Sequence, residues 1–143
     1  MSPCGRMEFS IKQLSNDVLK SIFDAAFLEA EIDSDGDLFV KDDYTVWVDG
    51  MPDKDCFGFR CYIGIEDQHS RASLLECCNS FNSSYLGLRV FVGPKNDVLG
   101  FSYHVLMKGG GKIEAKEIVR LFRYFQEVVR DSLDDEEVFG ILH

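Results

Sequence analysis

The sequence predicts an α+β domain, an antiparallel sheet with helices on one face, in the order α-ββββ-α-ββ-α. Three observations predict it. Apolar residues recur at helical spacing in three segments. Between these segments, runs of residues alternate apolar and polar with a period of two. The connections are short and rich in Gly, Pro, Asn and Asp, the residues that hairpins use. The 143 residues fit one domain, 1–143, and 45 % apolar content with 12 Phe is enough for an aromatic core. Segments 1–9 and 134–143 read as flexible tails.

The first helix is expected within residues 10–27, where Ile11, Leu14, Val18, Ile22 and Ala25/Ala26 share a face. Ser10 with Gln13 has the spacing of a capping box, and Ser15 is a rival N-cap. Four strands follow, near 28–33, 37–42, 43–49 and 56–65, with "GMPDKD" as the turn before the last. A second helix is expected over 70–85, N-capped by Ser70, with Leu74, Leu75, Cys78, Phe81 and Tyr85 on its apolar stripe. Two strands, near 87–93 and 98–107, are joined by "GPKND" as a hairpin. "KGGGK" reads as a flexible connection into a third helix over 114–131, whose stripe of Ile118, Leu121, Phe122, Phe125, Val128 and Val129 is the widest in the chain.

Alternation assigns the strand residues to two faces. Val46 and Val48, Phe57, Phe59, Cys61 and Ile63, Leu88 to Val92 by twos, and Leu99 to Val105 by twos should lie under the helices. Phe39, Trp47, Arg60, Tyr62, Arg89, Phe91, Ser102 and His104 should point the other way. A solvated face would hold more Thr, Lys and Glu. Aromatic residues mixed with Arg are what a binding or dimer surface carries, and a covering C-terminal tail or helix is the alternative.

The acidic stretch "EIDSDGDLFVKD", 31–42, approaches the calcium loop of an EF-hand. Its flanks alternate with period two, and "DYTVWV" follows directly, leaving no room for an exit helix. A hairpin with a Ser34-Asp35-Gly36 loop pairs Asp33 with Asp37, Ile32 with Leu38 and Ala30 with Val40, and Gly36 supplies a positive φ. The glycines before the third helix lack the spacing and hydroxyl of a phosphate loop. His69, His104 and His143 form no catalytic pattern with Ser or Cys, so no catalytic residue, metal site or cofactor is assigned. The five Cys match no metal-binding or disulfide spacing and read as small buried residues in a reducing compartment. A net charge of −10 opposes binding to nucleic acid, and no apolar run approaches the ~18 residues of a membrane span. The N-terminus shows no secretory h-region, so a cytoplasmic location is expected.

Three stretches carry a resemblance. They are the acidic hairpin in "FLEAEIDSDGDLFVKDDYTVWV", the Asn79-x-x-Asn82 of "LLECCNSFNSSYLGLRVFV" before a V-x-V strand, and the amphipathic last helix after a glycine loop. Together they resemble the YbjN-like domain family of bacteria, known as "putative bacterial sensory transduction regulator". Cys77-Cys78 and the plain Gly109–Gly111 run depart from its usual pattern. The resemblance implies a fold like that of type III secretion chaperones, often dimeric, and a non-enzymatic protein-binding role. Asp35, Gly36, Asn79 and Asn82 are then structural, the Asn amides bonding the last helical carbonyls or the loop into the next strand. The expected function is capture of a protein partner, or of a second subunit, through Trp47, Arg60, Tyr62, Arg89, Phe91 and His104. The alternative is a sensor of metal or small ligand using the hairpin 31–42.

Overall fold

The computed structural model describes residues 7–65 and 69–134. Both candidate N-caps of the first helix are used. Ser10 and Gln13 form a capping box around a 3-10 turn, Ile11–Gln13, with the Ser10 main-chain N–H donating to Gln13 Oε1 at 2.8 Å. Leu14 leaves helical geometry, with ψ 65°. Helix α1 (Asn16–Ala25) then starts at Ser15, whose Oγ accepts from the Val18 N–H.

Helix α1 ends in a Schellman motif. The Leu28 N–H donates to the Phe23 carbonyl and the Phe27 N–H to the Asp24 carbonyl, both at 3.0 Å. Phe27 occupies the left-handed position that glycine usually takes, with φ 62°, and is 97 % exposed. That conformation costs an L-residue with a side chain about 1–2 kcal/mol.

Six strands form one antiparallel sheet. They are β2 (Glu29–Ile32), β3 (Leu38–Lys41), β4 (Thr45–Met51), β5 (Cys56–Gly64), β6 (Arg89–Val92) and β7 (Val98–Leu106), in the spatial order β2-β3-β4-β5-β7-β6. The β2–β3 hairpin has the expected register, Ala30 opposite Val40 and Ile32 opposite Leu38, and Gly36 stands at φ 86°. The longest pairing joins β5 to β7, from Cys56 opposite Leu106 to Gly64 opposite Val98.

The helices pack on one face, as expected. Helix α2 (Arg71–Ser84) is capped by Ser70 Oγ, and α3 runs Ala115–Leu133. Leu74, Cys77, Cys78 and Phe81 of α2 are buried, whereas Leu75, expected on the stripe, is exposed. Positions 74, 77, 78 and 81 follow the i, i+3, i+4, i+7 rule, and Leu75 lies about 100° round the helix from Leu74. Phe23 of α1, Phe59 of β5 and Phe122 and Phe125 of α3 meet in one aromatic cluster, with ring centroids 5.2–5.9 Å apart. Gln126 of α3, also buried, accepts from the Tyr44 N–H and donates to Asp42, which pins the β3–β4 turn under the helix. Arg130 pairs with Asp43 beside it.

Two elements correct the sequence reading. Strand β1 (Glu8–Ser10), mostly within the 1–9 segment expected to be a flexible tail, pairs with β8 (Lys112–Glu114), which runs from the end of the glycine connection into the expected start of the third helix. Gly109 and Gly110, at φ 78° and 74°, reverse the chain after β7 and bring Lys112–Glu114 alongside β1. The Ala115 N–H donates to the Met7 carbonyl, so β1 also holds the start of α3. Three-residue strands are too short for alternation to be read. The expected tails otherwise fall outside the described residues, apart from Met7 and Asp134, as does Cys4.

Phe122→Ala removes the ring that joins α1, β5 and α3. The urea midpoint should fall by the equivalent of about 3–5 kcal/mol with the slope unchanged.

Candidate functional site

The acidic hairpin is built for its turn. Asp33 Oδ1 accepts from the main-chain N–H groups of Asp35 and Asp37, both at 2.9 Å, and the Asp33 N–H donates to the Asp37 carbonyl. Asn16 of α1 donates to the Gly36 carbonyl at 2.7 Å and ties the loop tip to the helix. Carboxylate oxygens of Asp33, Asp35 and Asp37 lie within 4.8 Å of one another. One of these carboxylates is thus already engaged as the acceptor of an Asx turn.

The open sheet face carries the residues singled out in the sequence. Register places Glu31, Phe39, Trp47, Arg60, Ser102 and Arg89 opposite one another in a row that crosses all six strands. Tyr62, Gly100 and Phe91 form a shorter row on one side, and Asp49, Gly58 and His104 another.

The side chains of these rows form a continuous chain of cations and rings. Lys41 lies over Phe39 at 5.7 Å, and Phe39 packs on Trp47 at 4.9 Å. Arg60 sits between Trp47 and Tyr62, at 5.7 and 5.8 Å from their ring centres. Tyr62 meets Phe91 edge to face at 6.2 Å, and Arg89 lies over Phe91 at 5.8 Å. Such contacts each contribute roughly 0.5–1 kcal/mol at exposed sites.

Arg60 is held from two sides. Its Nε donates to Asp49 Oδ2 at 2.6 Å, its Nη2 to Asp49 Oδ1 at 3.3 Å and its Nη1 to the Tyr62 hydroxyl at 2.9 Å. The Asp49 hydrogen bond raises the Arg60 pKa, against partial burial, which lowers it. Asp49 was not singled out in the sequence. The readable signal was its place two residues after Trp47 on the same strand face, but its pairing with Arg60 needed the β4–β5 register.

Glycines let two rings lie flat on the sheet. A Cβ on Gly100 would meet the Phe91 ring at 2.2 Å, and one on Gly58 would meet His104 at 2.5 Å. His104 is exposed on this face but lies one row away from the aromatic chain. Ser102, expected to point outward, is buried between the in-register arginines 60 and 89.

The two asparagines differ. Asn82 Nδ2 donates to the Val90 carbonyl at 3.1 Å, and its Oδ1 accepts from the Val90 N–H at 2.8 Å. Asn82 thus closes the free edge of β6 and bonds the strand itself, where the sequence reading had the helical carbonyls or the loop. Asn79 is exposed, and its main-chain carbonyl accepts from Ser83. Cys56, Cys61, Cys77 and Cys78 are buried thiols, and burial pushes the Cys61 pKa up to about 12.

The family model described as "YbjN: Putative bacterial sensory transduction regulator" matches residues 15–135. Among curated proteins, none matches the sequence. Among solved structures, the chain is similar to "Crystal structure of YbjN, a putative transcription regulator from E. coli". The TM-score is 0.69 at 14 % identity, over 89 % of this chain and 94 % of that one. It is also similar to "Structure of the HopA1-SchA Chaperone-Effector Complex", with TM-score 0.58 at 9 % identity, over 83 % and 92 %. At these identities the likeness concerns the fold.

Asp33→Ala should lower stability by about 1 kcal/mol through its lost turn bonds, while Asp35→Ala should be near neutral. Thermal melts with and without calcium should give the same differences; a loss seen only with calcium would mean a metal site. For Cys61, the unfolded chain releases the thiol proton near pH 9 and the folded chain near 12. Its contribution is therefore complete below pH 9 and lost as pH rises toward 12, and Cys61→Ala should flatten that decline in urea titrations.

Proposed function

The chain belongs to the YbjN family, and from that premise we propose that it is a non-enzymatic protein-interaction module, regulatory or chaperone-like, that works in the cytoplasm. It takes hold of a protein partner, or of a second copy of itself, on the open sheet face. The observation that carries this reading is the unbroken chain Lys41–Phe39–Trp47–Arg60–Tyr62–Phe91–Arg89.

The aromatic rings supply apolar area at low entropy cost, since they already pack on one another. Arg60 is pre-oriented by Asp49, so little freedom is lost when a partner covers it. Arg89 is exposed and makes no ion pair among the described residues, which leaves its charge for an acidic or carbonyl group of the partner. Asn82 occupies the outward main-chain groups of Val90, which favours docking onto the face over adding a strand at β6. The likeness to a chaperone-effector complex supports a protein ligand. Among the described residues no helix is long and apolar enough to cross a membrane.

Affinity capture from the native organism with wild-type protein and with Trp47→Ala/Tyr62→Ala tests the reading. The double variant should keep its circular dichroism spectrum and lose at least about tenfold in partner recovery or in self-association. Unchanged recovery and unchanged oligomeric state would sink it.

A further inference from the structure

The helical side of the molecule holds a second surface, remote from the open sheet face. Where α1 passes α3, the residues Ala25, Ala26 and Ala115 end at Cβ, and the helices leave a trough of about 440 Å³ floored by Ile22 and Val119. Through Ile22, Ala25 and Ala115 the trough runs on into a strongly apolar recess of about 330 Å³ under Phe9 of β1 and the preceding Met7.

In a chain of net charge −10, one bank of the trough is basic: Lys116, Arg120 and Arg123, at i, i+4 and i+7 on α3. Lys116 pairs with Glu114 at 3.3 Å and Arg120 with Glu117 at 3.1 Å, both half-buried carboxylates, whereas Arg123 makes no ion pair among the described residues. Phe27, directly after the alanines, keeps an exposed ring at a left-handed backbone position suited to glycine. An apolar ring held in solvent at a strained position adds nothing to folding.

We propose that this trough docks an amphipathic helix of a partner protein whose apolar face is flanked by Asp or Glu. Large side chains at i, i+3, i+4 and i+7 fit a floor of alanines, and the acidic flank meets the bank of α3. Phe27, next along the chain from Ala26, offers its exposed ring to the docked helix. The charge asymmetry of the rims sets the orientation of the helix.

The test is fluorescence anisotropy with the full chain and a synthetic amphipathic peptide of about five turns, Leu on one face and Glu on the flanks. Binding should reach about micromolar strength and weaken with salt, and a Lys-flanked copy should bind at least about tenfold less well. Arg120→Glu/Arg123→Glu should cost at least about tenfold, and Ala25→Trp should block the trough. All these positions but Ala25 are exposed charges, and Ala25 is itself exposed, so the fold is retained. Phe27→Gly should weaken binding and raise the melting temperature together, which a structural role for the ring would not do.

Trp47→Ala/Tyr62→Ala should leave this binding unchanged, which separates the trough from the sheet face. Equal binding of both peptides, or binding indifferent to the trough variants, would overturn the proposal. So would stronger competition by a peptide of residues 134–143, or a dimer that Ala25→Trp alone dissociates, since either gives the trough to this chain itself.

Discussion

The packing of Phe59 against α3 is the contact on which the rest of the structure depends. Phe59 lies in the longest strand pairing of the sheet and stacks on Phe125 at 5.9 Å, with Phe122 and Phe57 edge-on around it. Because side chains alternate along a strand, burying Phe59 with Phe57 and Cys61 turns Arg60 and Tyr62 to the opposite side. Antiparallel register carries the same parity to Trp47 on β4, Ser102 on β7 and Arg89 on β6. A slip of one residue would bury the arginines and expose the phenylalanines, so core packing and the open face are two results of one constraint.

That open face has its own internal order. Two ring pairs, Phe39 with Trp47 and Tyr62 with Phe91, are separated and flanked by cations. Asp49 holds Arg60 in the geometry in which its guanidinium touches both Trp47 and Tyr62. Gly58 and Gly100 remove the Cβ atoms that would lift His104 and Phe91 off the sheet. The outcome is a low aromatic surface with fixed charges, pre-arranged for contact. On the other side of the molecule, three alanines and a basic bank make a surface of different character, narrow and one-sided in charge.

Much of this was legible from residue order. Helical and strand periods are local properties, so α1, α2, α3 and the six sheet strands could be read, and so could the parity of each strand. The acidic stretch was resolved as a hairpin because Ala30, Ile32, Leu38 and Val40 match only in that register. Less legible were features that join distant segments. The β1–β8 pair links residues more than a hundred positions apart through strands too short to alternate. Leu75 and Cys77 exchange places relative to expectation, because the angle at which α2 meets the sheet decides which neighbour of Leu74 is covered.

The sequence by itself determined the fold class, the two-faced sheet, the hairpin over 31–42 and the resemblance to the YbjN family. Each follows from period, turn chemistry or a short motif, all written within about twenty consecutive residues. Only the tertiary structure decided that Arg60 is gripped by Asp49, that Asn82 closes the edge of β6, and that the alanines of α1 and α3 face one another across a trough. Those are distances between residues far apart in the chain, and the packing of the whole core sets them.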